Sequence, residues 1–143
     1  MASQVNVVIN DAEATPVAHT FQPEGAGWDP TIGGILAKWV DVSAAAAIGY
    51  WKLSLSFKRP TGSEKNYRVI AKSLVPVLET LSGSTLAGIV AAPSVAYILS
   101  KETRSVIPER STLQARKNCN AIHKGFLANV AHTDAVESLI PAT

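Results

Sequence analysis

The chain has 143 residues, 47% of them hydrophobic and 17% charged, with eight prolines, nine glycines and one cysteine. That length suits a single domain with one core and excludes a multidomain enzyme, the composition is far from that of a disordered chain, and a lone Cys119 can neither staple the fold nor build a cysteine-based zinc site. The formal charge of +2 hides an asymmetry: residues 1–37 hold Asp11, Glu13, Glu24 and Asp29 and no Lys or Arg, so the basic n-region of a secretory signal is missing and no export is expected.

In chain order, Gln4 to Ile9 and Thr15 to Phe21 are short β-prone runs around Asn-Asp-Ala-Glu-Ala, which predicts an N-terminal hairpin over 1–21. Residues 22–33, with Pro23, Gly25, Gly27, Pro30 and Gly33, read as a loop before a strand from Ile35 to Val42. Ala44 to Ala47 reads as either a helical turn or a strand connection, with length favouring the connection. From Tyr50 to Lys58 the alternation is strict, with Trp51, Leu53, Leu55 and Phe57 on one face and Lys52, Ser54, Ser56 and Lys58 on the other. Arg-Pro-Thr-Gly-Ser-Glu supplies a turn, and Tyr67, Val69 and Ala71 then alternate with Asn66, Arg68 and Lys72, completing a second hairpin.

Leu74 to Leu78 contains Pro76, which confines it to an edge or a bulge. Thr80 to Ser100 carries no charge, but Gly83, Gly88, Pro93 and several hydroxyl residues make it a poor membrane helix. It is expected to be a small-residue loop over Thr80–Pro93 entering a strand at Ser94–Thr103. Beyond Ile107-Pro108 the period changes: Ala115, Cys119, Ile122, Phe126 and Val130 form a helical stripe, with Ser111 and Gln114 at capping-box spacing or Pro108 as first helical residue. A second short helix begins at Thr133 or Asp134 and stops before Pro141. Strands over 35–104 followed by helices over 108–140 make an α+β pattern.

Because the apolar sets of the two alternating strands share the core side, their polar sets share the other. Lys52, Ser54, Ser56 and Lys58 therefore sit beside Asn66, Arg68 and Lys72, with Ile70 the one uncharged apolar exception. Within Lys52 to Lys72 six cations face a single acid, Glu64, which suggests a polyanion-binding face. The two helices are too little to cover the apolar side, and a symmetric dimer that joins edge strands and trades helices would supply the cover.

Four segments resemble the coat proteins of single-stranded RNA bacteriophages (leviviruses): Gly-Ile-Leu-Ala-Lys-Trp (34–39), Trp-Lys-Leu-Ser-Leu-Ser-Phe-Lys (51–58), Lys-Asn-Tyr-Arg-Val-Ile-Ala-Lys (65–72), and Ala96-Tyr97 in a late strand before two helices. The resemblance covers nearly the whole chain and is weakest around 22–33. It implies an N-terminal hairpin, a five-stranded antiparallel sheet and two C-terminal helices clasping a partner subunit. It further implies an intertwined dimer with a continuous sheet, and dimers that assemble into an icosahedral capsid around viral single-stranded RNA. The implied setting is the virion, with assembly in the bacterial host cytoplasm. By motif position, an RNA hairpin would meet Ser54, Ser56, Lys58, Asn66, Arg68 and Tyr97, with Ile70 and Leu99 standing where relatives often carry polar side chains. The Thr80–Pro93 loop would lie at the symmetry axes of the shell. A cellular RNA-binding regulatory dimer that forms no shell is the alternative.

Catalysis is not indicated. His19, His123 and His132 are far apart in sequence and lack a matching carboxylate or cysteine cluster, so neither a metal nor a cofactor is expected. Cys119 and His123 share a helix face, but Cys119 also lies on the apolar stripe and reads as a buried structural cysteine. Trp28, Trp39 and Trp51 read as core.

Overall fold

The computed structural model describes residues 4–80 and 91–141. The chain divides into two units, Met1–Val106 and Ile107–Thr143. Six strands precede the helices, all within the first unit except the last two residues of the sixth: β1 (Val7–Asn10), β2 (Ala18–Asp29), β3 (Gly34–Asp41), β4 (Trp51–Lys58), β5 (Asn66–Leu78) and β6 (Val95–Pro108). They lie side by side in chain order in one sheet, antiparallel from β1 to β5. β6 lies beside β5, and the Glu79 amide donates to Ser94 O at 2.9 Å where the two strands meet. The expected α+β architecture, an N-terminal hairpin and an antiparallel sheet followed by C-terminal helices, is what the structure has, and the hairpin is continuous with the sheet because its second strand is itself the strand that pairs with β3.

The predicted loop over 22–33 is mostly strand for a local reason. Register shifts between Pro23 and Gly25, leaving Glu24 as the extra residue of a bulge, and Gly25 at φ +121° supplies a backbone angle that side-chain-bearing residues rarely adopt. Proline and glycine, which read as breakers, are thereby absorbed within one long strand. The chain reverses between Asp29 and Gly34, where Asp29 Oδ1 accepts from the Thr31 amide at 2.8 Å and Asp29 O accepts from the Gly33 amide at 2.9 Å. A Cβ on Gly34 would stand 2.5 Å from Phe57 O, so β3 can start this close to β4 only with glycine there.

Ala47–Gly49 forms a 3₁₀ turn between β3 and β4. Pro76 lies inside β5, but the β4 register ends at Lys52 opposite Leu74, so the proline sits past the end of β4, where a missing N–H withdraws no bond from that strand. Of the uncharged Thr80–Ser100 stretch, Val95 to Ser100 belong to β6, while the predicted loop falls largely on 81–90, outside the described residues. Among the described residues no helix is long and apolar enough to cross a membrane.

A polar bracket ties the first hairpin to the sheet. Asp11 Oδ1 accepts from the Val17 and Glu13 amides at 2.8 and 3.3 Å, and its Oδ2 lies 3.2 Å from His19 Nε2. On the other side His19 Nδ1 is 2.5 Å from Asp41 Oδ2, and Asp41 also accepts from the Ser43 amide and hydroxyl, both at 3.0 Å. The imidazole stacks on Trp51 with centroids 4.3 Å apart and planes 19° from parallel. With a carboxylate at each ring nitrogen, the imidazolium donates from both. The His19 pKa is accordingly raised, first by the hydrogen bond to Asp41. The carboxylate partners that the sequence appeared to deny His19 are 8 and 22 residues away and meet it only through strand pairing; even so, among the described residues no His/Cys/Asp/Glu group is arranged to hold a metal.

In the second unit α1 spans Leu113–Leu127 and α2 spans Val130–Thr133, followed by a π turn over Asp134–Ser138 that ends at Leu139 with φ 57°. The cap of α1 is Thr112, whose hydroxyl oxygen accepts from the Ala115 amide at 3.2 Å. This corrects both Ser111 and Pro108 as the helix start, because Pro108 still belongs to β6. Asn129 caps α2 by accepting from the Ala131 amide at 3.0 Å, which moves Val130 out of the first helix.

Burial is sparse in both units. Phe21, 4% exposed, is the one buried hydrophobic side chain among the described residues, accompanied by buried Asp41 and Ser56. Trp51, Leu53 and Phe57 are half-buried and Leu55 is exposed. Trp28 is exposed rather than core, and Trp39 is half-buried with its indole N–H donating to Val5 O at 2.9 Å. On the helices Leu113, Ile122, Phe126 and Val130 are exposed, and Cys119, expected to be buried, is exposed with them.

Candidate nucleic-acid interface

Strand register decides what shares a face. Across β3, β4 and β5, Val40, Lys52 and Leu74 form one row of opposed residues; Lys38, Ser54 and Lys72 form the next; Leu36, Ser56 and Ile70 the third; and Lys58 stands opposite Arg68 at the far end. Side chains directly opposite each other point to the same side of a sheet, and alternate positions along a strand do so too, so all four rows belong to one face. Lys58 and Arg68 are therefore on the same side, as the alternation predicted. Asn66, two residues before Arg68 on β5, continues the same face.

The face is banded rather than uniformly wet. Two rows each hold a pair of cations, Lys38 and Lys72 on either side of Ser54, and Lys58 beside Arg68. They are separated by the apolar row in which Ser56, only 6% exposed, is flanked by Leu36 and Ile70. Ser56 is thus a buried hydroxyl between two aliphatic side chains. Ile70, the residue that interrupted the charge pattern in the sequence, pairs with it. Lys52 is exposed and lies between Val40 and Leu74.

Lys38 was missed by sequence reasoning, which read β3 only as a strand without assigning its faces. Its position opposite Ser54 adds a third strand to the cationic surface. Among the described residues no carboxylate lies within ion-pair distance of Lys38, Lys52 or Lys72. Lys58 and Arg68 differ. Glu64, in the turn between β4 and β5, reaches both, with Oε2 at 3.3 Å from Lys58 Nζ and Oε1 at 2.6 Å from Arg68 Nη2. The Arg68 contact is the shorter of the two. The hydrogen bond from Lys58, and then the charge of Arg68, hold the Glu64 carboxyl below its ordinary range. Tyr97, on β6, is 57% exposed.

On the opposite face Phe57 and Tyr67 pack with ring centroids 5.8 Å apart, beside Trp51, Leu53 and Leu55. One sheet thus offers an aromatic and aliphatic side and a side with five cations on three strands, Lys38, Lys52, Lys58, Arg68 and Lys72. Cations gathered on one face are the general means by which a protein neutralises phosphate chains and releases their counterions.

Comparison with known proteins places this arrangement. A profile described as levivirus coat protein matches residues 2–142. The chain belongs to the levivirus coat protein family. It is therefore a structural capsid protein and not an enzyme. A search of curated proteins gave no match. Among solved structures, the virus-like particle of bacteriophage ESE058 is similar at 35% identity and TM-score 0.88, with 99% of this chain and 100% of that chain covered. The virus-like particle of bacteriophage NT-214 is 31% identical, TM-score 0.81, over 99% of this chain and 100% of that one. The bacteriophage GA protein capsid shares the fold at 16% identity, with TM-score 0.66 and coverage of 94% and 93%.

Proposed function

We propose that this coat protein dimerises, assembles into an icosahedral shell in the cytoplasm of its bacterial host, and holds viral single-stranded RNA against the cationic face of its sheet. The observation that carries the RNA reading is the register that gathers Lys38, Lys52, Lys58, Arg68 and Lys72 on one side. Ser54 and Asn66 on the same face offer hydrogen bonds to base edges, and exposed Tyr97 offers a ring on which an unpaired base can stack. Ser56 lends a hydroxyl only to a group that reaches between Leu36 and Ile70.

Dimerisation is supported by sparse burial. A chain of this size normally buries well over half of the surface that its unfolded form exposes, yet among the described residues one hydrophobic side chain is buried and the stripe of α1 is open. A second copy is the partner that satisfies such faces in a family whose relatives form virus-like particles.

Expression in bacteria followed by electron microscopy and extraction of nuclease-protected RNA tests the proposal. Shells containing host RNA are expected. Shells without RNA would remove the RNA face, and dimers without shells would restore the regulator reading.

A further inference from the structure

Two of the five cations on the sheet face are already occupied, and by a residue whose place is fixed. Glu64 is held by reciprocal backbone bonds with Thr61: the Thr61 amide donates to Glu64 O at 3.1 Å and the Glu64 amide to Thr61 O at 2.6 Å. Gly62, at φ +33°, allows that tight reversal. The side chain, 22% exposed, then spans the Lys58–Arg68 row with one oxygen on each cation.

We propose that Glu64 sets the affinity and salt dependence of polyanion binding, because its tethered carboxylate occupies Lys58 and Arg68 in place of a phosphate. The inference rests on the reading of this face as the RNA surface. It adds that Lys58 and Arg68 are the masked end of that surface, while Lys38, Lys52 and Lys72 are its working end.

The physical distinction is between a tethered anion and a free one. Small counterions condensed on a phosphate chain are released to bulk when a cation replaces them, and that release makes binding salt-dependent. A lysine or arginine already paired with Glu64 neutralises fewer phosphates on contact. Glu24, in the β2 bulge, and Asp29 line an open hollow with Lys38, but neither reaches ion-pair distance of it among the described residues, so they do not mask it in the same way.

The size of the effect follows from counting. Single-strand binding shows a log–log salt slope of roughly −0.7 per phosphate neutralised, so three free cations give about −2.1 and five give about −3.5. Between 50 and 200 mM salt, affinity should then fall roughly 20-fold for the native protein and roughly 130-fold once the mask is removed.

The test is salt titration of the purified, nucleic-acid-free protein and its Glu64→Gln and Glu64→Ala variants with two probes, a single-stranded RNA oligonucleotide and inorganic polyphosphate. Both variants should bind more tightly at low salt and show the steeper slope with both probes. Native slopes in the variants would overturn the inference, as would failure of both variants to fold, which would make the Glu64 pairs structural. A steepened slope with polyphosphate but no binding of RNA would remove the RNA reading and leave the masking intact. Binding of neither probe by any form would remove both.

Discussion

Replacing His19 with glutamine is expected to lower stability most between about pH 4 and pH 6.5, and the shape of that dependence follows from the bracket around the imidazole. Glutamine can keep a neutral hydrogen bond but not the charge shared between Asp11 and Asp41, nor the stacking on Trp51. A hydrogen bond to a charged partner contributes about 1.5–3 kcal/mol and an aromatic stack about 0.5–1.5 kcal/mol. Asp41, at 5% exposure, would also be left buried with Ser43 as its remaining partner. A loss of about 2–3 kcal/mol near pH 6 is therefore expected.

On the alkaline side, the raised His19 pKa means that the native protein holds its full advantage below the ordinary imidazole value of about 6.5 and loses it as pH climbs through the higher folded value. On the acid side, the Val17 amide, and then His19, lower the Asp11 pKa. Burial alone would raise that of Asp41, but His19 and the two Ser43 bonds outweigh it. Their contribution is present above the ordinary carboxylate range, near 3.9, and is lost as pH falls through the depressed folded values. The gap between native and variant protein should thus close toward both extremes. Urea unfolding followed by tryptophan fluorescence, at one fixed protein concentration because assembly shifts apparent stability, measures it. A gap that is constant from pH 4 to 9, or widest at pH 9, would refute the reasoning.

Two further outcomes follow from register and close approach. Gly34→Ala places a Cβ 2.5 Å from Phe57 O, and separating β3 from β4 there should cost about 1–3 kcal/mol, read as a lower urea midpoint at unchanged slope. Lys38→Gln and Lys72→Gln should each flatten the salt slope of RNA binding by about 0.7, while Lys58→Gln in the native background should flatten it less, because Glu64 already occupies that lysine. Equal effects at all three lysines would show that no end of the face is masked.

The sequence by itself determined whatever repeats at short range. Alternation from Trp51 to Lys58 and from Asn66 to Lys72 fixed both strands and the common side of Lys58 and Arg68, since a strand has a period of two whatever it pairs with. The change of period past Pro108 likewise announced the helices. It could not decide what depends on which strand lies alongside which. Pairing of β3 with β4 brought Lys38 into the cationic row, pairing of β1, β2 and β3 delivered Asp11 and Asp41 to His19, and the β4–β5 turn turned the single nearby acid into a clasp on two cations. The long β2 was hidden for a related reason: a bulge at Glu24 lets proline and glycine stay within a strand, and a bulge exists only relative to the neighbour it is out of step with.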